Sequence, residues 1–136
     1  MTQIVGVVSD RLWLLVPLVV SGGSDKMWAV VDTGFEGYLM VPESERGRLR
    51  IARTSLMAPG TNADGSSSLM PLGRTSLQWL SAPIMIETHV PSSTMVDGMF
   101  HDGDPIVGII GLYLLQGLRL TAELYPGRNV ALERAA

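Results

Sequence analysis

Asp32 is followed by Thr33 and Gly34 and, after Phe35 and Glu36, by a second glycine, Gly37. The apolar, β-branched run Trp28-Ala29-Val30-Val31 precedes the acid, and Tyr38-Leu39-Met40-Val41 leads on to Pro42. The stretch reads as strand, tight loop, strand, with a carboxylate held at the end of a buried strand. Gly34 and Gly37 permit positive φ or close backbone approach, which a loop presenting one carboxylate beside its neighbours' N–H groups requires. The plainer reading is an ordinary turn, and a lone Asp-Thr-Gly tripeptide does not decide between the two.

Two other groupings bear on chemistry. The only histidines, His89 and His101, stand near Asp97, Asp102 and Asp104, residue types that ligate metals. The acids adjoin Gly98 and Gly103 as turn formers do, so no metal is assigned. No serine lies in a Gly-x-Ser-x-Gly elbow, which sets serine hydrolysis aside. Without cysteine there are no disulfides, no thiol catalysis and no thiolate metal sites, and the redox compartment is left open.

The elements that must position Asp32 are mostly strands. They are predicted from Gln3 to Val8, from Leu12 to Val20 with Pro17 at an edge, bulge or non-pairing position, and from Lys26 to Val31. Three strands within about thirty residues, joined by short turns, indicate an antiparallel β domain. Pro42 to Leu49 opens with proline and acids and closes with arginines, as a short helical turn does. Ser55 to Gly60 reads as loop, and Asp64-Gly65 marks a turn between segments that pair as a hairpin.

Further strands are expected from Leu69 to Leu72, Arg74 to Leu80 and Ile84 to Val90, followed by a long loop from Pro91 to Pro105. Ile106 to Ile110 is a buried apolar strand ending at Gly111, and Leu112 to Gln116 suits a short helix stopped by Gly117. Leu118 to Leu124 and Asn129 to Glu133 make a last hairpin around Tyr125-Pro126-Gly127-Arg128. Trp13, Trp28 and Trp79 read as core or interface anchors, and the 8 methionines as gap-fillers.

At 136 residues the chain is expected to form one domain, 1–136. A hydrophobic share of 46% against 17% charged residues argues against disorder and for an apolar fold or a partner-covered surface. The net charge of −3 gives no electrostatic reason to expect nucleic acid. Leu12 to Val20 is too short to cross roughly 30 Å of hydrocarbon as a helix, so no membrane span is expected. With no basic leader at its start, the chain reads as a soluble, cytoplasmic protein.

Trp28 to Pro42 resembles the active-site segment of retropepsin-like aspartic proteases, in particular the small bacterial single-domain members. Their pattern is an apolar strand, Asp-Thr-Gly-Phe, a polar residue, Gly, then apolar residues and Pro. The family's later apolar-apolar-Gly element with its short helix is matched by Ile109-Ile110-Gly111 and Leu112 to Gly117. Tyr113 stands where many relatives carry Asp or Asn. Ala63-Asp64-Gly65-Ser66-Ser67 matches the family's flap hairpin, and the terminal hairpin matches in order.

The resemblance implies an all-β fold, a closed antiparallel acid-protease barrel with one or two short helices. It also implies an aspartic endopeptidase that needs no cofactor. Asp32, Thr33 and Gly34 would be catalytic: Asp32 reacts, Thr33 locks the active-site loops together and Gly34 lets the chain pass closely. Glu36, Gly37, Ala63, Asp64, Gly65 and Gly111 would contact an extended peptide. The chemistry needs two carboxylates sharing one proton, and this chain has a single Asp-Thr-Gly. Two copies of Asp32 meeting on a two-fold axis, in a homodimer, would supply both. The alternative is a catalytically inactive module of the same fold that binds peptide or self-associates.

Overall fold

Strand β9, Asp104–Ile110, is the element against which the others are placed. Its Ile106, Val107, Ile109 and Ile110 are all buried, as a strand covered on both faces demands. It lies between β3, Trp28–Val31, to which it is parallel, and β4, Leu39–Met40, to which it is antiparallel. Strands β3 and β4 are consecutive in the chain yet are not neighbours in the sheet. The loop joining them, which carries Asp32, therefore has to cross the end of β9.

The computed structural model of the protein describes residues 3–61 and 64–135. The remaining strands are β1 (Gln3–Val8), β2 (Leu14–Pro17), β5 (Ala52–Thr61), β6 (Ser67–Trp79), β7 (Ala82–His89), β8 (Phe100–His101), β10 (Leu118–Glu123) and β11 (Asn129–Arg134). The sheet runs β10-β11-β1-β2-β3-β9-β4-β7-β6-β5, with β8 paired to β9. Pairing is antiparallel except for β3 with β9 and β4 with β7. The all-β, mostly antiparallel expectation is met. The expected closure is not: β10 and β5 end the order, and no pairing joins them among the described residues.

Side-chain alternation divides the core in two. One cluster contains Val16, Ala29, Val31, Leu77, Val107, Ile110 and Leu132. The other contains Leu15, Val30, Met40, Met70, Val96, Ile106 and Ile109, with Phe35 and Trp28 packed against it. The second lies under the Asp32 loop.

Several expectations need correction. Ser55 to Gly60 is strand, within β5; as the last strand of the sheet it has a free edge, where Pro59 and Gly60 are tolerated. β6 runs unbroken through Gly73, where a side chain would strike Ile51 and Ala52. The expected 91–105 loop contains the β8–β9 hairpin, turned at Asp102 and Gly103 with φ of 49° and 81°. Pro17 is a paired residue, opposite Trp28. The short helix is present at Leu112–Leu115 (α1), and Gly117 follows it with φ of 75°. The helical turn after Pro42 is a 3-10 turn at Glu43–Glu45.

Candidate active site

The Asp32 loop is held from below by backbone. The Asp32 N–H donates to the Ile110 carbonyl at 2.9 Å, continuing the β3–β9 pairing by one residue. Beyond β9 the chain returns the contact: the N–H groups of Gly111, Leu112 and Tyr113 donate to the carbonyls of Tyr38, Phe35 and Gly37 at 3.1, 2.9 and 3.1 Å. Four main-chain bonds thus tie residues 32–38 to the end of β9 and the start of α1. Such bonds fix the path of the loop without using any side chain that chemistry would need.

This crossing explains two glycines. A Cβ on Gly111 would collide with the carbonyl oxygens of Phe35 and Gly37, and one on Gly37 would collide with the Phe35 ring. Close approach, not left-handed backbone, is what they provide; neither they nor Gly34 have positive φ. The Gly34 N–H donates to the Asp32 Oδ1 at 2.8 Å, so the carboxylate is oriented by its own loop. Asp32 is half-buried and Thr33 exposed.

Asp32, Gly34, Phe35 and Glu36 form one side of a groove of about 640 Å³. Met40 and Ile109 also line it, and the β5–β6 hairpin faces it with Pro59, Gly60, Thr61, Ser67 and Met70. Ser93, Thr94 and Met95, between β7 and β8, bound it as well. The hairpin pairs Pro59 with Leu69, Gly60 with Ser68 and Thr61 with Ser67, as the Asp64-Gly65 turn signal predicts. At its tip the Ser66 N–H and hydroxyl donate to the Asp64 Oδ1 at 2.9 and 2.5 Å. The Ser66 hydroxyl, and then its N–H, hold the Asp64 carboxyl below its ordinary value.

Of the residues singled out from the sequence, Asp32, Gly34 and Glu36 come together on the groove. Thr33 is beside it on the same loop. Gly37 and Gly111 are buried beneath the loop, and Asp64 and Gly65 sit at the exposed hairpin tip, outside the residues that line the groove. Ala63 lies outside the described residues. His89 and His101 are held in different surroundings: His101 meets Trp28 edge-on at 5.3 Å, and His89 meets Phe35 edge-on at 5.4 Å. Among the described residues no three His, Asp or Glu side chains are grouped to hold a metal ion.

Phe35, Met40, Met70 and Met95 were not marked by sequence pattern as groove residues. An apolar residue beside a site has the same local signature as one in the core. His89 was also missed as a neighbour of the Asp32 loop. Its ring is buried, its Nδ1 has no hydrogen-bond partner among the described residues, and burial lowers its pKa from the ordinary 6.5, against smaller upward effects from Glu87 and the Pro59 backbone.

No protein-family model and no curated protein matches the chain. Among the described residues no helix is long and apolar enough to cross a membrane. Among solved structures, the chain is similar to a retropepsin-like aspartic protease from Rickettsia conorii, with a TM-score of 0.63 at 14% identity over 96% of this chain and 98% of that one. At that identity the likeness is one of fold: the chain has a retropepsin-like fold.

Proposed function

We propose that the protein is an aspartic endopeptidase, active as a homodimer. The observation that carries the reading is the placement of Asp32. It lies on a backbone-clamped loop, at a groove large enough for peptide side chains, opposite a hairpin able to cover it. Each chain brings one such carboxylate. Two chains related by a two-fold axis would bring Asp32 of each within reach of one water, and Thr33, exposed beside it, is available to contact its symmetry mate.

In that arrangement like charges so close do not both ionise, and the pair shares one proton. The ionised Asp32 takes a proton from the water as its oxygen attacks the peptide carbonyl. The protonated Asp32 gives its proton to the carbonyl oxygen, producing a tetrahedral diol. The Asp32 that took the water's proton then gives it to the amide nitrogen while the other takes a proton from a diol hydroxyl. The C–N bond breaks, the amine and the carboxylic acid leave, and the pair ends with the one proton it began with. The peptide lies extended beneath the hairpins, where strand-like main-chain pairing is available.

The test is digestion of an unfolded protein mixture from about pH 3 to about pH 7, bracketing the titration of such pairs. Wild type and Asp32→Asn are compared at matched dimer content. Cleavage that disappears in the variant supports the reading; cleavage that persists in it sinks the assignment of Asp32. A second reading, a catalytically inactive binding or self-association module, draws on the exposed edge-to-face pair of Tyr38 and Tyr113, 5.5 Å between ring centroids. Folded wild-type dimers that cut nothing would favour it.

A further inference from the structure

Beside the groove at Asp32 lies a trough of about 370 Å³, and the two share Met70 and Ser93. Its origin is a mismatch in strand length. β7 accompanies β6 only from Leu72 to Trp79, whereas β6 begins five residues earlier, at Ser67. At Val90, whose N–H donates to the Pro71 carbonyl at 2.8 Å, the chain leaves β6. The Glu43 N–H then fixes the Pro91 carbonyl at 2.9 Å, and Pro91 to Ser93 line the trough together with Leu69.

The chemistry of the trough is neutral and strand-like. Leu69, Met70, Pro71, Val90 and Pro91 are apolar; Ser68, Ser92 and Ser93 add hydroxyls. Its one ionisable side chain, Glu43, is bonded to Arg46 at 3.0 Å and also to Arg53, so its charge is answered within the protein. Leu69 is 66% exposed, an apolar side chain next in sequence to Met70, which lines both the trough and the groove. A chain segment entering here would run beside the outer end of β6, in the position β7 vacates, which is the geometry of strand addition.

We infer that this trough is a second binding subsite. It takes the part of a substrate polypeptide that lies beyond the residues at Asp32: a neutral, extended segment with an apolar side chain packed on Leu69. The inference rests on the peptidase reading above and adds to it a requirement for substrate length on one side of the cleaved bond. A short peptide fills only the groove; a longer one also gains the apolar contact.

The experiment uses an internally quenched peptide that wild type cleaves, made in a short form and in forms extended by about four residues at either end, each extension carrying either leucine or serine. Four extended residues reach about 13 Å. Leucine in the extension at one end should raise kcat/KM about tenfold over the short form, the effect of burying one aliphatic side chain. In Leu69→Ser, a change at an exposed position, the ratio of long to short should fall to near one. No gain from either extension, or a gain of equal size in Leu69→Ser, overturns the subsite. Should no peptide of any length be cut, the peptidase reading fails, and fluorescence anisotropy of the labelled long and short peptides then decides the trough alone. Tighter binding of the long form that depends on Leu69 keeps it, and equal binding of the two removes it.

Discussion

Gly111 shows how a residue without a side chain can set the position of one that reacts. Its backbone lies under the carbonyls of Phe35 and Gly37, and its own N–H holds the Tyr38 carbonyl. Gly111→Ala should therefore destabilise the fold by about 1–3 kcal/mol, the range for forcing a methyl into a filled interior. Urea denaturation measures it, and an unchanged midpoint would mean that the loop moves aside freely. His89 makes a different demand. Burial favours its neutral form, so above about pH 6.5 folded and unfolded chains bind no proton there and nothing is lost. As pH falls through that value the unfolded chain takes up a proton and the folded chain resists until its lowered pKa is reached, so stability falls across that window. Between about pH 7.5 and about pH 5, wild type should lose more stability than His89→Gln, which has no such titration; equal losses would refute the account. Asp32 was legible because its signal is local: an apolar strand, an acid and two glycines within a few residues. The surroundings of His89 were not, because Phe35 and Pro59 come to it from distant parts of the chain.

At the scale of elements, the β5–β6 hairpin faces the Asp32 loop across the groove. Ser67, Ser68 and Leu69 are exposed at its outer end, and the turn between its strands relies on the Asp64 carboxylate accepting from Ser66. Asp64→Ala should speed amide exchange at Ser66 and the adjoining β5–β6 residues while leaving the global denaturation midpoint unchanged, because the core clusters do not include this tip. A drop in the midpoint of the whole protein would show that the hairpin is integral to the cooperative fold. The turn itself was readable from Asp-Gly, but the strand before it was not. Ser55, Pro59 and Gly60 argue against a strand on propensity, and only the free edge of β5 makes them acceptable. The same limit applies to Phe100 and His101: two residues make too short a strand for periodicity to register, and their pairing with Pro105 and Asp104 depends on a turn at left-handed Asp102. β9 and α1, by contrast, followed directly from a solid apolar run ended by glycine.

For the whole molecule, the decisive feature is that the site supplies one Asp-Thr-Gly carboxylate per chain while peptide hydrolysis by an acid pair needs two. The topology leaves room for assembly: the sheet is open, with β10 as one terminal strand, and Leu112, Tyr113, Tyr38, Leu124 and Tyr125 are exposed apolar or aromatic groups. The order of strands could be anticipated for the terminal hairpin, whose pairing is local, but not for the placement of β9 between β3 and β4, which pairs residues about seventy to eighty positions apart by main-chain contacts that leave no mark on residue type. If two copies of Asp32 form the active pair, activity belongs to the dimer and not to the chain. Adding Asp32→Asn protein to an equal amount of wild type, with time for subunits to exchange, should then lower the activity of the wild type already present. Random pairing leaves about one quarter of all dimers with two intact carboxylates, so the wild-type chains retain about half their original activity. Sedimentation at the assay concentration verifies that the mixture is dimeric. If activity instead stays at its full initial value on addition of the variant, each chain acts alone and the shared-pair mechanism is wrong.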